Sequence, residues 1–285
     1  MVYRVIKIPI GMYSERGHEV VMAAKDSVRE ENHSVGAEQL IVTKGGSGKP
    51  LLVLHEELGW PGWMKWNAAL SERRTIVTPL LPGFGKTPRA EWIVNVHDLT
   101  NFLARFIREQ GLAPIDVIGF SLGGWLAAEM AANDPNLFSK IVLVAPVGIR
   151  PPEGEIKDLF TVPALVYLRE SVRDAHNTPE YAALYDGGVS EAQYEAFEDA
   201  RAQTALIAWQ PYMFNPSLPH LLEGTVKSPT LIVWGRDDKV VPISAAGVYQ
   251  KSIKGSKLVT IDGAGHRPEI EKSEQFIKEV QSFLG

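Results

Sequence analysis

Val117-Ile118-Gly119-Phe120-Ser121-Leu122-Gly123-Gly124-Trp125 decides the fold. An apolar run from Ile115 to Ile118 leads into it, and an Ala-rich run from Leu126 to Ala132 leads out. The first reads as a buried strand and the second as a helix. Between them lies Gly-x-Ser-x-Gly, the pattern of a strand that turns at once into a helix with a serine at the apex. Such a turn strains the backbone of the central residue. It also brings strand and helix so close that Cβ atoms on the flanking residues would collide, which is why glycine stands on both sides. The serine hydroxyl is pushed to the carboxyl edge of a sheet, over a helix N-terminus that favours developing negative charge. At average residue frequencies a chain of this length matches the five-residue pattern about 0.1 times by chance, so the strand before it and the helix after it carry the argument.

Outward from the elbow, Pro50–Leu54, Thr75–Thr78, Lys140–Val144, Pro229–Trp234 and Lys257–Ile261 are further apolar runs that read as strands. Helical patterns alternate with them: one to about Leu70, one from Val94 to Gln110, one through Ser244–Ser252 and a terminal one from Glu269 to Leu284. Alternation of this kind builds a mostly parallel sheet covered by helices on both faces. Towards the N-terminus, Glu19–Ala24 and Gln39–Thr43 read as strands pairing in an antiparallel edge, separated by the polar stretch Lys25–Gly36. Gly45-Gly46-Ser47-Gly48-Lys49 lacks the spacing of a phosphate-binding loop and reads as a hairpin turn. From Val147 to Thr225 strands give way to helical segments rich in aromatics, Trp209 among them. The expected architecture is therefore α/β and doubly wound, with residues 1–146 and 226–285 as the core and 147–225 as a helical lid inserted after the sixth strand.

Composition narrows the chemistry. The 285 residues are 45% hydrophobic, carry a formal net charge of -5 and contain no run of Lys or Arg, which argues against nucleic acid as a partner. There is no cysteine, so thiolate chemistry, disulfides and cysteine-based zinc sites are excluded. The N-terminal stretch lacks the pattern of a signal peptide, and no stretch reaches the length of a membrane span, so a cytoplasmic protein is expected. No His/Asp/Glu cluster has metal-ligand spacing, and neither metal nor cofactor is expected.

A serine hydroxyl needs a base to take its proton, and that base needs orienting. The strand ending at Trp234 is followed by Gly235-Arg236-Asp237-Asp238, and the strand ending at Ile261 by Asp262-Gly263-Ala264-Gly265-His266. Ser, Asp and His thus arrive in that chain order, each just after a strand.

With these motifs, and with Pro82-Gly83-Phe84-Gly85 and the loop opened by His55, the chain from Gln39 onward resembles the α/β-hydrolases, within their lidded esterases and C–C bond hydrolases. The resemblance implies Ser121 as nucleophile, His266 as general base and Asp238 as its acid, since Asp238 matches the family's Gly-x-x-Asp followed by Val-x-Pro; Asp237 is the lesser candidate. It implies an oxyanion hole from the backbone N–H groups of Leu122 and Glu57, with Glu56 the fallback. His55 would brace its loop. His55, Glu56, Phe120, Trp209 and Arg267 are the candidates for lining the pocket.

The family normally has glycine after that histidine, where this chain has Glu56. Either both glutamates point away and pair with a base, for which Arg267 is a candidate, or one enters the pocket, where it selects cationic or hydrogen-bond-donating substrates or serves as an extra acid–base group. The activity expected is hydrolysis of small-to-medium apolar carboxylic esters through an acyl-enzyme, falling below roughly pH 6–7 as an ordinary imidazole protonates. The rivals are a C–C bond hydrolase of vinylogous diketones, and a non-catalytic receptor that keeps the pocket for binding a small molecule.

Overall fold

The computed structural model describes residues 28–186 and 188–285. Its strands are β1 (Arg29–Val35), β2 (Glu38–Gly46), β3 (Lys49–Leu54), β4 (Arg74–Pro79), β5 (Ile115–Phe120), β6 (Phe138–Val144), β7 (Thr230–Gly235) and β8 (Lys257–Ile261). They form one sheet in the order β1-β2-β4-β3-β5-β6-β7-β8. The β1–β2 and β2–β4 pairs are antiparallel, and every later pair is parallel. Every residue of β5 and β7 is buried, as expected of strands covered on both faces.

Two expectations change here. The polar stretch before Gly36 is not a separator but contains β1, whose outward residues face solvent at the sheet edge. The expected strand at Glu19–Ala24 lies outside the described residues. The Gly45–Lys49 turn is not a hairpin, because β4 is inserted between β2 and β3.

Helices follow the strands as α1 (Lys65–Ser71), α2 (Val96–Glu109), α3 (Leu122–Asn133), α4 (Ala164–Ser171), α5 (Pro179–Tyr181), α6 (Glu191–Ala208), α7 (Leu218–Leu222), α8 (Ser244–Ser252), α9 (Pro268–Glu271) and α10 (Ser273–Leu284). The single terminal helix read from the sequence is thus two, broken at Lys272, whose φ of -134° is not helical. α1 packs against α10, with Trp66, Phe120 and Phe276 in mutual ring contact, while α2 packs on α3, and α3 on α7. The segment between β6 and β7 carries α4 to α7 and a single π-helical stretch, Ala182–Asp186, and no strand among its described residues.

The strand order locates the site. From β3 the chain steps one way to β4, then returns to the other side of β3 to lay down β5 and continue through β6, β7 and β8. The loops leaving β3 and β5 therefore diverge, and a crevice opens between them at the carboxyl edge. His55 opens the first loop and Ser121 the second.

Candidate active site

Ser121 follows β5 and precedes α3 with φ 45° and ψ -108°, a backbone conformation rarely tolerated outside glycine. The surroundings enforce it. A Cβ on Gly119 would lie 2.4 Å from the Gly123 carbonyl oxygen, and one on Gly123 would lie 2.2 Å from that of Leu54. Ser121 N–H donates to the Val144 carbonyl at 3.0 Å, and its own carbonyl accepts from Trp125 N–H at 3.1 Å. Leu122 is the first residue of α3, so its N–H is among those a helix leaves without an internal partner.

Asp238 is fixed by three bonds. Its Oδ1 accepts from the N–H groups of Val240 (2.8 Å) and Val241 (2.9 Å), and its Oδ2 lies 2.8 Å from His266 Nδ1. Asp237 turns outward to Arg173 at 3.0 Å. His266 N–H donates to the Ser171 carbonyl at the end of α4 (2.8 Å). Ser121 Oγ and His266 Nε2 are both buried, and neither has a hydrogen-bond partner. Burial pulls the His266 pKa down, but the charge and hydrogen bond of Asp238 and the charges of Glu57 and Glu269 outweigh it and raise it to about 9. That lies above the value of an ordinary imidazole.

His55 is wholly buried. Its Nε2 accepts from Leu81 N–H at 3.1 Å, which leaves Nδ1 as the protonated nitrogen, donating to the Glu56 carbonyl at 2.8 Å. Burial depresses its pKa to about 3, so it stays neutral and ties the loop after β3 to the turn after β4.

The two glutamates part ways. Glu56 receives Arg267 in a two-point contact, Nε to Oε2 at 3.2 Å and Nη2 to Oε1. Arg267 also donates to the Tyr185 hydroxyl at 3.0 Å and lies 3.8 Å from Glu269. Glu57 instead meets the segment between β6 and β7. Its Oε1 accepts from the Tyr167 hydroxyl at 2.5 Å, and its carbonyl accepts from Thr204 Oγ1 at 2.8 Å. Its Oε2 is buried without a partner. Tyr167 and Thr204 were invisible in the sequence, because each acts across a distance in chain that no local pattern signals; Glu269 stands close to His266 in the chain, but nothing in its type or spacing marked it.

Four of the five pocket candidates, His55, Glu56, Phe120 and Arg267, line one small cavity with Trp66 and Glu269. Its lining includes the chain neighbours of Ser121 and His266, Phe120 and Arg267, and neither Ser121 nor His266 itself. Trp209 does not line this cavity: it is 54% exposed just after α6, with its ring against Phe160 (ring centroids 5.1 Å apart) and edge-on to Tyr212. Among the described residues no group of three potential ligand side chains could hold a metal, and no helix is long and apolar enough to cross a membrane.

Residues 51–279 match the model of the alpha/beta hydrolase family. The chain belongs to that family. This alpha/beta hydrolase is 27% identical to 2-hydroxy-6-oxo-2,4-heptadienoate hydrolase of Pseudomonas putida over 92% of its own length and 95% of that protein's. It is 26% identical to pimeloyl-(acyl-carrier protein) methyl ester esterase of Aeromonas hydrophila, over 86% and 98%. The solved structure of 2-hydroxy-6-oxo-6-phenylhexa-2,4-dienoate hydrolase from Rhodococcus superposes with a TM-score of 0.72 at 18% identity, covering 90% of this chain and 98% of that one, a likeness of fold.

Proposed function

We propose that this alpha/beta hydrolase cleaves carboxylic esters through an acyl-enzyme on Ser121. The observation that carries the reading is the His266–Asp238 contact at 2.8 Å, with His266 Nε2 and the strained Ser121 Oγ both buried and without partners. Ser121 Oγ attacks the ester carbonyl while His266 Nε2 takes its proton. Asp238 holds the resulting imidazolium. The N–H groups of Leu122 and Glu57 hold the tetrahedral oxyanion. Collapse expels the alkoxide, which leaves with the proton from His266. Water, deprotonated by His266, then attacks the acyl carbon and frees Ser121. Residues 147–225 act as the lid over a core formed by 1–146 and 226–285. The contacts of Ser171 with His266, and of Tyr167 and Thr204 with Glu57, support this, as does the burial of Ser121 at 2% exposure.

The dienoate hydrolase among the relatives supports a second reading, C–C bond hydrolysis by the same triad. The unneutralised Glu57 carboxylate weighs against anionic dienoates. Ser121→Ala tests the ester reading. The wild type is expected to release p-nitrophenol from p-nitrophenyl acetate and to be labelled by a fluorophosphonate, and the variant to lose both, with a rate loss of about 10³-fold or more. A wild-type protein that does neither, while folded, removes the serine mechanism for both readings.

A further inference from the structure

Glu57 is a charged group that the hydrolytic cycle does not call for. The mechanism proposed above gives its backbone N–H to the oxyanion, yet its side chain is a carboxylate where the reaction itself would build negative charge. It is 1% exposed. One oxygen is held by Tyr167, and the other has no partner of any kind. Among the described residues it makes no ion pair. The nearby cations are already committed: Arg267 to Glu56 and Glu269, and the His266 ring to Asp238. The titratable groups that feel Glu57 are His55, Tyr167, Tyr212 and His266. His55 is neutral and the two tyrosines are held un-ionised, so the one positive charge among them is the His266 imidazolium, which is already paired with Asp238 and is given up when the ring acts as a base. Its field favours the imidazolium of His266 and opposes an oxyanion at Leu122 and Glu57. A buried acceptor without a partner is costly until something donates to it.

We propose that the free Oε2 of Glu57 is a substrate-recognition group, selecting esters that carry a hydroxyl or a cationic nitrogen close to the scissile carbonyl and rejecting those that carry a carboxylate there. This rests on the ester reading and names its substrate class. A donor or cation on the substrate completes the coordination of Glu57 and offsets its field at the oxyanion, so the gain is largest in the transition state. A carboxylate on the substrate meets an unpaired like charge in a site with no cation to spare.

Two matched series test this, on either side of the ester bond: methyl 3-hydroxybutanoate, methyl butanoate and monomethyl succinate; and acetylcholine beside its neutral isostere 3,3-dimethylbutyl acetate. The measured quantity is the ratio of kcat/KM within a series, which cancels losses common to all members. The wild type is expected to favour the hydroxyl or the cationic ester over its plain partner by about tenfold, and to disfavour monomethyl succinate by about the same. Glu57→Gln should bring the charge-dependent ratios close to one. Tyr167→Phe, which frees the second oxygen, should instead widen the preference for the cation, and this variant carries the test if Glu57→Gln does not fold. Wild-type ratios near one, or ratios left unchanged by both substitutions, overturn the proposal while fluorophosphonate labelling of Ser121 keeps the ester reading standing. Absence of both labelling and turnover overturns the ester reading, and the recognition role with it.

Discussion

His266 sits between two opposing forces, and the balance sets when it can act as a base. Burial alone would keep its ring neutral, whereas Asp238 in contact and Glu57 and Glu269 nearby hold the proton on it to about pH 9. Under the proposed mechanism kcat/KM should rise with pH up to that value and flatten above it. Glu269 is itself raised to about 7, mainly by burial, so it carries charge where the limb is measured. Glu269→Gln removes a negative charge near the imidazolium and should move the limb to lower pH. A profile already flat from pH 6, or a limb unmoved by Glu269→Gln, would refute this. The effect on stability has the opposite sense. A histidine whose folded pKa exceeds its unfolded value contributes its full stabilisation below the unfolded value near 6.5, and loses it as pH rises through the folded one. The pH range that activates the base is therefore the range in which its contribution to the fold fades. At this scale the sequence was informative where chemistry is carried by type and order, as with Ser121, Asp238 and His266. It reached only part of the charge set around them: Arg267 was a candidate partner for the glutamates and takes Glu56, whereas nothing in the chain signals the Tyr167–Glu57 contact, which joins residues 110 apart.

The elbow shows why elements could be read more easily than partners. β5, β7 and α3 are buried along nearly their whole length, so hydrophobicity alone marks them. β1 escaped because its pairing with β2 is made by backbone groups, while its side chains at the sheet edge are polar. The break at Lys272 escaped because the apolar pattern runs on across it. Trp209 shows a related limit: an aromatic in a helical segment has a face, and the sequence does not say which side that face is on. Close approach is a separate constraint that the elbow pattern does encode. Gly123→Ala would set a Cβ 2.2 Å from the Leu54 carbonyl oxygen, a backbone atom at the end of β3 that cannot move without displacing the His55 loop. We expect a loss of about 2 kcal/mol or more in urea unfolding, or no soluble protein at all. A variant within 0.5 kcal/mol of wild type, the range of ordinary surface substitutions, would show that the helix can shift away from β3.

At the scale of the whole molecule, the question is how firmly the helical segment between β6 and β7 is seated. Three of its contacts run to the site: Ser171 to His266, and Tyr167 and Thr204 to Glu57. A fourth runs elsewhere. Glu180 of α5 reaches the start of α1, where Lys65 N–H donates to its Oε2 at 3.4 Å, and it also hydrogen-bonds to Ser273, the first residue of α10. Burial raises its pKa to about 7, outweighing the Lys65 N–H, the Lys65 charge and the Ser273 hydroxyl, which favour its charged form. A carboxyl whose folded pKa lies above its unfolded value of about 4.5 favours docking fully below that value and loses the contribution as pH rises through 7. The contact of α5 with α1 and α10 should therefore loosen between pH 5 and 8, while the core does not. Hydrogen exchange of the backbone amides at 180–185, corrected for the intrinsic rate, should show protection falling across that range relative to β5. Glu180→Gln, which keeps the hydrogen-bonding shape without a titrating proton, should leave protection flat with pH. Protection that is independent of pH in the wild type, or equally dependent in Glu180→Gln, would mean that the seating of α5 is governed by its apolar contacts alone. If the dependence is found, the segment loosens toward the same alkaline range in which His266 becomes a base, so access to the site and the power to use it would rise together.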